Sequence, residues 1–189
     1  MRIVFTKFVS ELIARIIRCN FRATHFLPRR FAMTQNSAML EEISDMLIDC
    51  PLFQHMEASE IQAIAKHFNI INIDSGETIF REGDDGTFMC IVHKGRVSII
   101  KKNQNGDEII MATEGNGRVL GEMAVLDGER RSATCEAASN CDLLILSKES
   151  MDTMLEEQPR IGAKILRAIA ISLSRRMRLT AGKLVDYEE

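Results

Sequence analysis

Apolar residues recur along this chain at two periods, and the switches between them mark its elements. Over residues 37–49 they fall at Leu40, Ile43 and Leu47, the spacing of a helix with one buried face. A turn at Asp49–Pro51 follows. A second helix is predicted over 57–68, opening on Glu57-Ala58-Ser59-Glu60 with Ile61, Ile64, Ala65 and Phe68 on its face. From Ile70 to Leu146 the period drops to about two, in short runs: Ile71–Ile73, Thr78–Phe80, Phe88–Val92, Val97–Ile100, Glu108–Ala112, Arg118–Leu120, Ser132–Glu136 and Leu143–Leu146. Glycine-bearing turns separate them, and Asn105-Gly106 is a strong hairpin signal. Eight short, evenly spaced strands predict an all-β barrel or jelly roll.

Helical spacing then returns. Ser147 is placed to cap a short helix over 148–157, with Ser150 a second candidate cap. Pro159 opens a long helix whose stripe runs Leu166, Ile169, Leu173, Met177, Thr180 and Leu184, with Arg175, Arg176, Arg178 and Lys183 around it. The alternation in the strands reads as core. The long-helix stripe reads as packing within the domain or, preferably, as a dimer seam. The predicted fold is mainly β with flanking helices: an eight-stranded β roll of jelly-roll type, N-terminal helices and a long C-terminal helix. It divides into a basic extension (1–36), the roll with its flanking helices (37–158) and the closing helix with its tail (159–189).

Charge separates the extension from the rest. The net charge is −3, but residues 1–33 hold Arg2, Lys7, Arg15, Arg18, Arg22, Arg29 and Arg30 against Glu11 alone. Residues 3–18 read as a basic amphipathic helix with Leu12, Ile13, Ile16 and Ile17 on one face. It is either a membrane-surface or partner helix, or a disordered or mis-started extension with the true start at Met33 or Met39, and the second reading is preferred. No apolar run is long enough to cross a bilayer. Glu11, Arg15 and Arg18 interrupt what would be the core of a secretory signal.

The remaining residues exclude several chemistries. Five cysteines without CxxC spacing point to free thiols in a reducing cytosol rather than to a disulfide framework or a zinc site. His25, His55, His67 and His93 are scattered, and only His93 lies within the roll, so no metal site is expected. No Ser or Cys stands beside a His in a nucleophile arrangement, and the chain is not expected to be an enzyme.

One segment inside the roll carries chemistry, Gly117 to Thr134. It enters as a strand and turns at Gly121, where a missing side chain lets backbone approach a ligand. Glu122–Leu126 forms one apolar helical turn, whose first amides offer an anion site. Arg131 follows nine residues after Glu122, placed for a bidentate contact to phosphate. Glu122 is suited to accept hydrogen bonds from sugar hydroxyls. Together they fit a sugar phosphate. Met123 and Val125 read as packing.

The run Gly121-Glu122-Met123-Ala124-Val125-Leu126, followed by Arg131-Ser132-Ala133-Thr134, resembles the phosphate-binding cassette of cyclic-nucleotide-binding domains. That family includes the bacterial cyclic-AMP receptor protein and the regulatory subunits of cyclic-AMP-dependent kinase. The resemblance spans roughly residues 45–185 and includes the glycine order Gly76, Gly83, Gly95, Gly106, Gly117, Gly121. It implies a ligand, cyclic AMP or else cyclic GMP, held by the cassette turn Gly121, Glu122, Met123 and Ala124, with Arg131 and Ser132. Glu122 would bind the ribose 2′-hydroxyl. Arg131, the cassette amides and the Ser132 hydroxyl would bind the cyclic phosphate. Thr180 of the long helix would contact the base, as a Thr does in the bacterial receptor. Leu120 replaces the family's usual Phe, Arg130 replaces a frequent Pro, and Ala181 stands where that receptor has a second hydroxyl.

The expected function is a stand-alone regulatory domain that binds a cyclic nucleotide, cyclic AMP before cyclic GMP, and signals by moving its C-terminal helix. Its expected partners are a second copy through that helix and an effector protein not identifiable from sequence. About ten residues follow Thr180, too few for a DNA-reading module, so no DNA partner is expected. Two alternatives remain: a β-roll interaction protein that keeps the fold but binds no nucleotide, its Glu122 and Arg131 forming a structural ion pair, and a membrane-surface regulator using residues 1–30.

Overall fold

Among the described residues eight strands form between Phe68 and Ser147, and five helices flank or interrupt them. The structure is a computed structural model that describes residues 37–185, with side chains to 182. The expected basic helix over residues 3–18 and the stripe position Leu184 therefore lie outside the described side chains. The strands are β1 (Phe68–Ile73), β2 (Thr78–Phe80), β3 (Phe88–Lys94), β4 (Val97–Lys102), β5 (Glu108–Glu114), β6 (Val119–Leu120), β7 (Thr134–Ala137) and β8 (Cys141–Ser147). The helices are α1 (Ser37–Ile48), α2 (Ala58–Ala65), α3 (Glu122–Asp127), α4 (Lys148–Glu157) and α5 (Pro159–Val185).

The strands build two antiparallel four-stranded sheets, ordered β1-β8-β3-β6 and β2-β7-β4-β5. Two such sheets face to face make the expected β roll, with helices before and after it. In the first sheet the strand interiors are apolar on both faces. Met89, Cys90, Ile91 and Val92 are buried in succession, as are Leu143 to Leu146. One reason is that Met89, Ile91, Leu144 and Leu146 pack with Ile43, Leu47, Ile61, Ile64, Met154, Ile165 and Ile169 of the helices. Consecutive burial of this kind comes from cover on both faces.

The second sheet departs from the expected alternation. β5 is its edge strand, and Ile109, Ile110 and Met111 are 46%, 62% and 63% exposed. The apolar run there does not mark core: β5 ends its sheet, and none of its residues is buried.

Helix ends follow local chemistry. The Glu60 carboxylate reaches back to accept the Glu57 N–H at 3.0 Å, and Ser147 Oγ accepts the Ser150 N–H at 3.0 Å, so Ser147 is the cap of α4. α2 stops at Ala65, short of the expected end. Phe68 instead opens β1 opposite Leu146 and meets Phe53 edge-on at 5.9 Å. A single apolar residue at a boundary satisfies either period, and pairing with β8 decided it. Lys66–Glu157 at 2.7 Å and Gln158 Nε2 donating to Ala63 O at 3.2 Å tie α2 to α4 and its end. Lys164–Glu60 ties α2 to α5.

The stripe on α5 splits into two halves. Ile169 is fully buried, Ile165 takes the core position expected of the half-buried Leu166, and Leu173 packs against the same core. Beyond it Met177 is 70% exposed and Thr180 is exposed. The face turned to the domain therefore runs Ile165, Ile169, Leu173 and then Arg176. No helix among the described residues is long and apolar enough to cross a membrane.

Candidate functional site

The segment from Gly117 to Thr134 leaves β6, turns at Gly121, forms α3 and returns as β7. Gly121 has φ +73°, in the left-handed region. A Cβ there would lie 2.3 Å from Arg131 Nη1 and 3.1 Å from Phe80 Cε1. Gly86, between β2 and β3, is required for closeness alone: a Cβ would sit 2.1 Å from that of Ala124. The loop therefore presses on α3. It also grips Arg131 through the backbone, with Arg131 N donating to Asp84 O at 2.8 Å and Gly83 N to Arg131 O at 2.9 Å.

Two ionisable side chains are buried here. Arg131 is 3% and Glu122 is 2% exposed. Arg131 Nη1 donates to Gly121 O at 2.7 Å and Nη2 to Phe88 O at 2.5 Å. Its guanidinium carbon lies 4.1 Å from the Phe80 ring centre and 4.8 Å from that of Phe88. Nε has no hydrogen-bond partner among the described residues. Among the described residues no ion pair joins Arg131 to a carboxylate. Burial pushes its pKa below the ordinary value, against smaller raising effects of Cys90, Cys135 and Asp84. An arginine stays cationic even so. A buried cation with a spare N–H and no carboxylate partner is suited to an anion.

Glu122 does not pair with Arg131, so the reading of a structural Glu122–Arg131 ion pair is overturned. It pairs directly with Arg176 from α5. Burial lowers the pKa of Arg176, as does nearby Arg118, while Glu114 raises it. Arg118 is itself held by Glu114, at 2.6 Å and 2.8 Å. A line of charge thus runs from the end of β5 through the cassette to the closing helix.

The other expected ligand residues are placed less centrally. Ala124 is buried beneath Gly86. Ser132 is exposed, and its carbonyl accepts from Lys101 Nζ at 3.1 Å. Thr180 is exposed, and its hydroxyl donates to Arg176 O one turn back at 3.0 Å. Val125 packs as expected, but Met123 is 46% exposed, so its side chain is not core packing. It points off the outer side of a six-residue helix whose inner side takes Ala124 and Val125.

Sequence reasoning missed Phe80, Phe88 and the partner role of Arg176. The two phenylalanines read as ordinary strand apolars, and nothing in their spacing marks a cation between them. Arg176 stood beside the helical stripe, and its one signal was being four residues before Thr180 on the same face.

Comparison with known proteins agrees with this fold. Residues 70–158 match the family model described as "Cyclic nucleotide-binding domain". The chain is 25% identical over 144 residues to a CRP-like cAMP-activated global transcriptional regulator of Mycobacterium tuberculosis, covering 76% of this chain and 62% of that protein. It is 30% identical over 128 residues to the Cyclic AMP receptor protein of Thermus thermophilus, covering 68% of this chain and 57% of that one. It thus spans less than two-thirds of these relatives. The crystal structure of a cyclic nucleotide-binding domain from Methylobacillus flagellatus superposes with a TM-score of 0.69 at 27% identity, covering 77% of this chain and 82% of that chain.

Proposed function

We propose that this chain, which belongs to the cyclic nucleotide-binding domain family, binds cyclic AMP in preference to cyclic GMP and signals through the position of α5. The observation that carries this reading is the pair of buried charges on the cassette. Among the described residues Arg131 has no carboxylate partner, and the carboxylate of Glu122 is met by α5 itself. The cyclic phosphate would take the spare donors of Arg131. The ribose hydroxyl would share Glu122, and any movement of that carboxylate reaches Arg176 directly. The preference for cyclic AMP is supported by the names of the relatives in Mycobacterium tuberculosis and Thermus thermophilus.

The size of the effect is sufficient for signalling. A charge-assisted contact contributes about 1.5–3 kcal/mol. Spent on one of two positions of α5, that shifts their ratio by roughly tenfold to a hundredfold. The exposed half of α5, with Met177 and Leu179 at 70% and 67%, supports a second copy of the chain as its neighbour, with an effector protein as the reader.

Calorimetric titration of the 1–189 chain with cyclic AMP and cyclic GMP tests the reading. Cyclic AMP is expected to bind more tightly, and Arg131→Ala to lose most of that affinity. No heat and no shift in melting temperature at millimolar concentrations of either nucleotide would sink it. Arg131→Ala binding like wild type would remove the phosphate assignment.

A further inference from the structure

Arg131 would ordinarily be costly where it sits, because a buried charge without a counter-ion loses its hydration for little return. Its surroundings supply two carbonyl oxygens and two aromatic faces instead. Phe80 ends β2 and Phe88 opens β3, so the rings stand at the two ends of the loop that grips the Arg131 backbone. Their centres are 6.0 Å apart and their planes 71° from parallel. Both lie within the range at which a guanidinium is attracted to the negative face of a ring.

We propose that Phe80 and Phe88 form an aromatic clamp that positions the Arg131 guanidinium for a phosphate, and that their π faces, rather than their bulk, set how tightly the phosphate is held. The inference rests on the cyclic-nucleotide reading and adds to it the residues that prepare the cation. The rings restrict tilting of the guanidinium plane. The carbonyls of Gly121 and Phe88 fix its rotation within that plane. Those restraints hold Nε in one orientation, buried and without a hydrogen-bond partner among the described residues. A leucine at either position would fill similar space without a quadrupole. The guanidinium would then be free to tilt, and preorganisation would be lost. The contacts from Gly121 and the loop depend on the same geometry, since a Cβ at Gly121 meets both Nη1 and Phe80.

The test uses the full 1–189 chain with cyclic AMP as the probe. Phe88 is half-buried, so Phe88→Leu and Phe88→Tyr are readily compared there, with Phe80→Leu as a second position. Phe88→Leu and Phe80→Leu are each expected to weaken binding about tenfold, while Phe88→Tyr stays within about twofold of wild type. Phe88→Leu binding like wild type overturns the clamp, and so does Phe88→Tyr binding as weakly as Phe88→Leu. A second measurement does not depend on variants or ligand. The side-chain NMR signals of Arg131 in the wild type should be displaced upfield by the ring currents of two aromatic neighbours. Arginine signals at ordinary positions overturn the clamp even if the leucine variants fail to fold. Wild type that binds no cyclic nucleotide overturns the functional reading and the ligand-positioning role with it. Wild type that binds, with Phe88→Leu unchanged, overturns this inference alone.

Discussion

Replacing Gly121 by alanine tests whether the turn is shaped around Arg131 or merely bent. Two penalties are separable. Gly121 has φ +73°, and an L-residue in the left-handed region costs about 1–2 kcal/mol. The added Cβ would also lie 2.3 Å from Arg131 Nη1. A side-chain tip usually yields cheaply, but this one is buried and held at 2.7 Å by the Gly121 carbonyl itself, with Phe80 Cε1 3.1 Å from the same Cβ. Moving it gives up a charged hydrogen bond of about 1.5–3 kcal/mol. Gly121→Ala should therefore cost about 2.5–5 kcal/mol. Gly106 provides the control, with φ +88° and nothing within 4 Å of a new Cβ. Gly106→Ala should cost only the backbone share, about 1–2 kcal/mol. Urea denaturation of both variants without nucleotide gives the two values, and titration with cyclic AMP should show Gly121→Ala alone weakened, by tenfold or more. If Gly121→Ala loses no more stability than Gly106→Ala, the close fit between the turn and Arg131 is wrong.

Three further outcomes follow from contacts elsewhere. Arg176→Met leaves the Glu122 carboxylate buried without its partner and should destabilise the chain by about 2–4 kcal/mol in urea, with Glu122→Gln/Arg176→Met recovering part of the loss. His67, 7% exposed, has its pKa lowered, first by burial, then by Lys66, with Glu157 opposing. The unfolded chain takes up that proton first, so the His67 contribution is present above pH 6.5 and lost as pH falls below it toward the depressed folded value; His67→Gln should flatten that part of the stability profile. Burial pushes the Cys135 thiol up to about 12 and raises that of Cys90 as well, so neither should react with a thiol reagent at pH 8 until the chain is unfolded. Labelling of either site at the rate of a free thiol in the folded chain would contradict their place in the core.

The sequence by itself determined whatever is local. Glycine at the turns, the two hydrophobic periods and the Ser147 cap lie within a few residues of the structures they specify, and eight strands with flanking helices follow from them. The cassette was legible for the same reason: turn, carboxylate and arginine fall within one short run from Gly121 to Arg131. Only the tertiary structure decided what those charges meet. Arg176 reaches Glu122 because α5 folds back over the cassette, and α5 does so because Ile165 and Ile169 are drawn into a core shared with β3 and β8. Phe80 and Phe88 flank Arg131 because β2 and β3 belong to different sheets that close on the same loop. The identical spacing rules also failed at β5, where an apolar run lies exposed at a sheet edge. Periodicity records which side chains prefer burial. Which of them receive a neighbour, and whether that neighbour is a carboxylate, a carbonyl or an aromatic face, depends on segments distant in sequence and is settled only when they pack.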